Sequence, residues 1–574
     1  MAHSKQNKPS RTLRPELELV LCAARPDNIE NENRIRELTH AGVNWNEVLA
    51  CASQHNLLPI FCKRFLATEA SWLTPERRQT LIDLERHLGK NSMLLLGEML
   101  RLHAVFDAAQ VPAIPFKGPV LSWMAYRNFT LRTFSDLDFV LPQRYVPQAL
   151  SQLQSTGYVA LFDSFEAHAG KDGHAPGQYA FASESTGSLV ELHTERTLRY
   201  FPRPLNLNEM NSRLIPFQIG GRTVSTFSVE DTLVMLCVHG GKHFWERIAW
   251  VLDIAKLITD YEVNWTMLLD IAAKMESTRV LLLGLFLAHD LFEAPLPERV
   301  LKIVCTQKQV RRLAEKVREQ YAGTADPSAG VWPRALFRFR SRDGAWQGIR
   351  HTLRLGIRPT ENDRQTVAFP RLLSPLYLLV RPWRLLKEYG LGLTRRLKPD
   401  LAIYQPTPQE IVNHMLRFAE ISPGDVLYDL GCGDGRIVVT AARNYGIRGV
   451  GVDIHPGRIS EARANARHHG VGSLVEFHLG DAKKFDFSKA SVVTMYLGAD
   501  ANLRLAERLR TELGPGARIV SRDFLIHGWN PDRSETHPIP NSLPSVLHLW
   551  KINSAESPIT AEDSHIYSRS DKNG

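Results

Sequence analysis

Near residue 406 the chain changes rhythm. From there on, short apolar runs alternate with helical periods, and the first run leads into Asp429-Leu430-Gly431-Cys432-Gly433-Asp434-Gly435. A strand that passes through a GxGxG turn into a helix makes a tight corner and lets a ligand approach the backbone closely. The pattern predicts helix 408–419, strand 426–430, helix 436–445, strand 449–453, helix 457–469, strands 474–479 and 492–496, helix 501–513, and strands 518–524 and 546–552. Such alternation predicts an α/β domain with a parallel, doubly wound, Rossmann-like sheet over residues 401–553.

The acidic residues of this segment narrow the ligand. Asp453 ends the second strand, 18 residues after Gly435, where a carboxylate can accept both ribose hydroxyls. Asp481 follows the third strand, where a carboxylate can meet an adenine amino group. A dinucleotide fingerprint needs a third glycine so that pyrophosphate can lie on the helix N-terminus, and Arg436 stands at that position. Asp429 and Asp434 flank the loop, and carboxylates repel a pyrophosphate. They suit a ligand that carries an ammonium and a sulfonium, so the charge pattern favours S-adenosylmethionine over NAD. Gly431, Gly433 and Gly435 complete the expected cofactor loop, in which Cys432 is read as a small loop residue and not a nucleophile.

The stretch Ile403-Tyr404-Gln405-Pro406-Thr407-Pro408-Gln409, the run YDLGCGDGRIV, then VVTMYL, ARIVSRDF and Gly528-Trp529 together resemble the small seven-stranded methyltransferases related to mitochondrial protein-lysine methyltransferases. The resemblance covers about 150 residues. It implies a seven-stranded sheet, and it implies that Tyr404, Thr407 and Gln409 fold over the cofactor and the substrate entrance. The family often has Leu-Pro after the Tyr-Leu of strand four, whereas Leu497 here is followed by Gly498-Ala499-Asp500. Tyr496 stands where an acceptor-facing side chain is expected. It can orient an amine by its hydroxyl, offer its ring face to a cation, or simply pack at the strand end. The expected partner is a protein or a small-molecule methyl acceptor.

A second constellation lies upstream. Apolar runs 111–116, 137–141 and 188–192 read as strands, with a helix over 120–126. Asp136 and Asp138 are two apart on a strand and so face the same way. Glu191 lies in Val190-Glu191-Leu192-His193, and Lys117-Gly118 closes the preceding strand. Three carboxylates on adjacent strands, Asp136, Asp138 and Glu191, can hold two Mg²⁺ for in-line nucleotidyl transfer. Lys117 and Arg132 can neutralise a nucleoside triphosphate. The order KG, RxxxDLD and VELH, followed by His239, Lys242-His243, Trp245 and Trp250-Val251-Leu252-Asp253, resembles the uncharacterised branch of the polymerase-β-like nucleotidyltransferases. This implies an α+β nucleotidyltransferase-fold domain with helical flanks over 15–350. The wider superfamily carries Gly-Gly or Gly-Ser where this chain has Lys117-Gly118-Pro119. His239 and His243 lie four apart on one helix face, lining a substrate side or capping a core. The absence of an HExxH glutamate argues against a metalloprotease.

The 574 residues exceed a single typical domain. Residues 1–14 and 554–574 read as disordered tails, and 351–400 as a basic, apolar linker. Its part 369–393, rich in Leu, Arg, Pro and Trp, packs on a neighbouring domain or rests on a membrane surface. No apolar run is long enough to span a bilayer. Six cysteines without a CxxC pair suggest a reduced, cytoplasmic protein. The net charge of +9 fits phosphate-bearing partners or plain solvated faces.

Overall fold

The computed structural model describes residues 13–68, 72–160, 177–183, 186, 188–195, 203–322, 331–357, 380, 407–497, 499–526, 529–537 and 545–552. The chain divides into two compact units, with the main division in sequence near residue 397. The tails, most of the linker and Tyr404 lie outside the described residues. No helix among the described residues is long and apolar enough to cross a membrane. All six cysteines are free.

The C-terminal unit is built on a seven-stranded sheet. Its strands, numbered within the whole chain, are β8 (Val426–Leu430), β9 (Arg448–Asp453), β10 (Val475–Leu479), β11 (Val492–Met495), β12 (Arg518–Arg522), β13 (Arg533–His537) and β14 (Ser545–Lys551). They lie in the order β10-β9-β8-β11-β12-β14-β13. The order reverses between β8 and β11, which creates a crevice at the carboxyl ends of the strands where ligands of doubly wound sheets bind. The expected sheet is not wholly parallel. β14 runs antiparallel to both β12 and β13.

Alternation of side chains across the pleat sorts this sheet into two apolar layers. Leu427, Val492 and Val520 pack with the helices Gln409–Phe418 and Arg436–Tyr445 on one side. Tyr428, Leu430, Val493, Met495, Ile519 and Trp550 pack with the helix Ala499–Glu512 on the other. The same parity puts Asp429, Thr494 and Arg522 on the side of the first layer.

The N-terminal unit holds a five-stranded sheet. Its strands are β1 (Ile114–Pro115), β2 (Asp136–Val140), β3 (Tyr158–Ala160), β4 (Gln178–Ser183) and β5 (Leu189–His193), in the order β1-β2-β5-β4-β3. A separate hairpin joins β6 (Ile215–Ile219) to β7 (Arg222–Thr226). β3, β4 and this hairpin were not expected from the pattern. β2 and β5 run parallel, with Asp138 opposite Glu191 and Val140 opposite His193. Helices flank the sheet as expected, the longest being Pro75–Ala108 with 34 residues. Thr74 caps it by accepting the amide of Arg77.

A buried ion pair ties two helices and a loop of this unit. Asp253, fully buried on the helix Ala249–Asp260, accepts from Tyr126 Oη at 2.9 Å and from Arg132 Nε at 3.0 Å. Removing one member of such a group leaves a buried charge unanswered. We predict that Asp253→Ala destabilises the N-terminal unit by about 3–5 kcal/mol, read as a lower denaturation midpoint, with a larger loss than Asp260→Ala on the exposed end of the same helix.

Candidate functional site

In the C-terminal unit the glycine loop is held by its neighbouring strand. The carbonyl of Val452 accepts the amides of Gly431 at 2.9 Å and Cys432 at 3.0 Å. Asp453 then accepts the amide of Gly433 on Oδ2 at 2.9 Å and that of His455 on Oδ1 at 2.8 Å. Gly435 has φ +74, and a Cβ there would lie 2.7 Å from Phe477 and 2.8 Å from Ala462. Both the backbone and the space therefore require glycine at the helix entrance. Asp481 lies just past β10 and caps the following turn by accepting the amide of Lys483 at 3.1 Å.

Arg436, in the third-glycine position, forks onto Asp434 with a shortest distance of 2.6 Å and reaches the Thr407 carbonyl at 2.9 Å. Asp434 is therefore already matched to a cation, and the segment at Thr407 is tied to the loop. Gln409 donates to Thr440 at 3.0 Å, at the start of the same layer of helices. Nothing in the sequence pattern announced the Arg436 tie.

Asp429 is the carboxyl of this unit that burial perturbs strongly. It is 3% exposed, and Thr494 Oγ1 donates to its Oδ1 at 2.8 Å. Burial pushes its carboxyl up to about 7, against the Thr494 hydrogen bond and with help from Asp453 and Asp434. Asp429 and Asp453 thus lie at the carboxyl ends of β8 and β9, and Asp481 in the turn after β10, along one edge of the sheet. Arg436, the base tied to the loop, is spent on Asp434. A donor set of this kind fits the ammonium, ribose and adenine amino groups of S-adenosylmethionine.

Tyr496 follows β11 on the same side of the pleat as Thr494. The Arg522 guanidinium carbon lies 4.2 Å from its ring centroid, and the Phe524 ring stacks at 5.9 Å. An arriving ammonium therefore finds Arg522 over one ring face. Burial raises the Tyr496 phenol above its ordinary value, Arg522 opposes this and Asp523 adds to it.

In the N-terminal unit, Lys117 ends a loop before the helix Gly118–Tyr126. Gly118 has φ +51, and a Cβ there would stand 3.3 Å from the Asp136 carbonyl, so the corner needs glycine. Lys117 Nζ reaches Asp138 Oδ1 at 3.2 Å, and His193 Nε2 approaches the same oxygen at 2.8 Å. His193 also lies 3.3 Å from Glu191 Oε2, which accepts from Gln178 at 2.7 Å. Burial works against ionisation of Asp138, but Lys117 and His193 outweigh it and hold its carboxyl well below the usual range. Asp136 goes the other way, pushed up to about 6 by burial and by the charges of Asp138 and Glu191.

The candidate metal-ligating atoms brought within 4.8 Å of one another belong to Asp138, Glu191 and His193. The expected trio had Asp136 in place of His193. Arg132, expected beside a triphosphate, is committed to Asp253. His239 and His243 form a trio of rings with Trp250, at 5.0 and 5.5 Å from it. Burial lowers both imidazoles, His243 to about 3, so both are neutral near pH 7.

Residues 41–293 match the model of an uncharacterised nucleotidyltransferase family, and residues 429–533 match the ANTKMT methyltransferase domain. A protein-lysine N-methyltransferase of Saccharolobus islandicus (strain REY15A) is 46% identical over 129 residues, which is 22% of this chain and 80% of that protein. The adenine nucleotide translocase lysine N-methyltransferase of Mus musculus is 31% identical over 174 residues, 29% of this chain and 74% of that protein. A crystal structure of an RNA methyltransferase from Salinibacter ruber in complex with S-adenosyl-L-homocysteine is 45% identical, covering 27% of this chain and 97% of that one, with a TM-score of 0.25.

The raised Asp429 sets a direction for pH. Its folded value of about 7 exceeds the unfolded value of about 4. The stability it contributes is therefore complete below about pH 4 and lost as pH rises through about 7. A cationic ligand beside it favours the ionised form. We predict that S-adenosylmethionine binding near pH 6.5 releases up to about one proton, measured by calorimetry in buffers of different ionisation enthalpy. The release disappears in Asp429→Asn; an unchanged release in that variant would assign the proton elsewhere.

Proposed function

We propose, from the premise that this chain belongs to the ANTKMT family of S-adenosylmethionine-dependent methyltransferases, that its C-terminal unit methylates a lysine side chain of a protein. The observation that carries the reading is the set of carboxylates at Asp429, Asp453 and Asp481, joined to the 46% identity with a protein-lysine methyltransferase. S-adenosylmethionine, when bound, supplies a methyl group on a positively charged sulfur. Asp429 would take the cofactor ammonium, Asp453 the ribose hydroxyls and Asp481 the adenine amino group. Gly431, Gly433, Asp434 and Gly435 would shape the loop beneath, and Thr407, Gln409 and Tyr404 the entrance.

The chain's own part in transfer is positioning. The acceptor nitrogen must arrive without its proton, and its lone pair forms the new N–C bond as the C–S bond breaks. Its surplus proton then leaves to water. Tyr496 would orient that nitrogen through its hydroxyl, since Arg522 lies over a face of the ring.

Mass spectrometry of lysine-containing proteins treated with the full chain and labelled cofactor tests this reading: label on lysine side chains supports it, and label confined to RNA or metabolites rejects it. Asp453→Ala should weaken cofactor binding about 10–100-fold, since charge-assisted hydrogen bonds contribute about 1.5–3 kcal/mol.

A second activity is supported by the family match over residues 41–293 together with the paired strands β2 and β5. Asp136, Asp138 and Glu191 would hold Mg²⁺ for transfer of a nucleotidyl group, with Lys117 and Gly118 at the phosphates. The donor set fits a divalent cation in part, because Asp138 and Glu191 offer oxygens while His193 offers nitrogen. Incubation of the full chain with labelled nucleoside triphosphates and Mg²⁺ should label a product or the protein itself. Asp138→Ala should abolish that label, and equal labelling by wild type and variant would reject the role.

A further inference from the structure

Arg522 ends β12 beside Tyr496 and is used by none of the cofactor contacts above. Its side chain is 6% exposed. Nε donates to Ser545 Oγ at 2.9 Å and lies 3.1 Å from Asp523 Oδ2. Asp523 is itself clamped, accepting on Oδ1 from Ser545 Oγ and from the Val546 amide, both at 2.9 Å. It holds φ +60 to do so. The carbonyl of Phe524, next in the chain, accepts from Ser521 Oγ at 2.7 Å and Asn502 Nδ2 at 3.0 Å. The guanidinium is thus fixed on its Nε side and laid over the Tyr496 ring. Its Nη1 is shielded from solvent and has no hydrogen-bond partner among the described residues.

A buried guanidinium nitrogen normally finds an acceptor, because desolvating it without one is costly. Guanidinium groups only donate, so the missing partner must be a lone pair. The acceptor nitrogen cannot supply it, since that lone pair makes the new bond. An oxygen can. Arg522 stands at the carboxyl end of a strand, where doubly wound sheets meet their ligands. It lies on the side of the pleat that carries Asp429 and Thr494.

We propose that Arg522 Nη1 binds a carbonyl or carboxylate oxygen carried by the methyl acceptor, which makes Arg522 and Tyr496 a two-point acceptor subsite. The subsite selects amines that belong to a peptide segment over bare alkylamines. This rests on the lysine reading above. Tyr496 orients the nitrogen, and Arg522 holds the segment that bears it.

The test uses the full chain with labelled S-adenosylmethionine and three probes: acetyl-Ala-Lys-Ala-amide, acetyl-Asp-Lys-Asp-amide and pentylamine. Wild type should favour the peptides over pentylamine by about tenfold or more in kcat/KM. R522M should lose that preference, mainly through KM for the peptides, and R522K should keep part of it. Calorimetry with S-adenosylhomocysteine should show affinity within about twofold of wild type in R522M, which separates lost recognition from lost folding. A greater loss on the Asp peptide identifies a carboxylate as the bound oxygen, and equal losses on both peptides identify the main-chain carbonyl. If R522M with intact S-adenosylhomocysteine binding keeps the peptide preference, or loses activity equally on all three probes, the subsite is overturned. If wild type transfers to none of the three, the lysine reading falls and takes this proposal with it.

Discussion

One backbone carbonyl organises the C-terminal unit. Val452 accepts two successive amides, Gly431 and Cys432, from the neighbouring strand's loop. That double acceptance turns the chain across the top of the sheet rather than letting β8 run on. The next residue along β9, Asp453, then catches Gly433 with its side chain. The loop is therefore built by β9 as much as by its own glycines, and the glycines serve mainly to let it come that close. Once it is there, Gly435 has no room for a side chain between Phe477 and Ala462, and the following helix starts against the core.

The C-terminal unit was legible in the sequence because two signals agree there. The period of apolar residues switches between strand and helix, and each strand end carries a residue with chemistry of its own. β13 escaped because Arg533-Ser534-Glu535-Thr536-His537 is a polar edge strand with no apolar face to detect. In the N-terminal unit, motif order placed Asp136, Asp138 and Glu191 on adjacent strands, and β2 and β5 do pair in parallel, with Asp138 opposite Glu191. His193 escaped as a ligand because a single histidine at the end of a strand looks like a core residue. Only the pairing of β5 with β2 brings it to Asp138. Arg132 and Asp253 are separated by 121 residues, so no local pattern could pair them.

The two units handle buried carboxylates by opposite means. Around Asp138, the chain supplies its own cations, Lys117 and His193, and the carboxyl stays ionised. Around Asp429, it supplies a neutral hydroxyl, Thr494, and two further acids, so the carboxyl is only partly ionised near pH 7. A carboxyl compensated internally has little to gain from an incoming cation. One left uncompensated in a buried position gains most from a ligand that brings positive charge. The electrostatics of the second arrangement therefore favour a cationic small molecule, and the repulsion Arg436 would offer is cancelled by Asp434.

Thr494 and Tyr496 are separated by one residue of β11 and its exit. The first touches Asp429, proposed for the cofactor, and the second meets Arg522, proposed for the acceptor. A strand advances about 3.3 Å per residue, so the two α-carbons are spaced roughly 6–7 Å apart by covalent geometry alone. The chain carries its own ruler between the proposed donor and acceptor positions, and that ruler does not stretch when a loop moves. An added or deleted residue at Met495 would not merely lengthen it. It would rotate the tyrosine to the opposite face of the sheet, away from the crevice altogether.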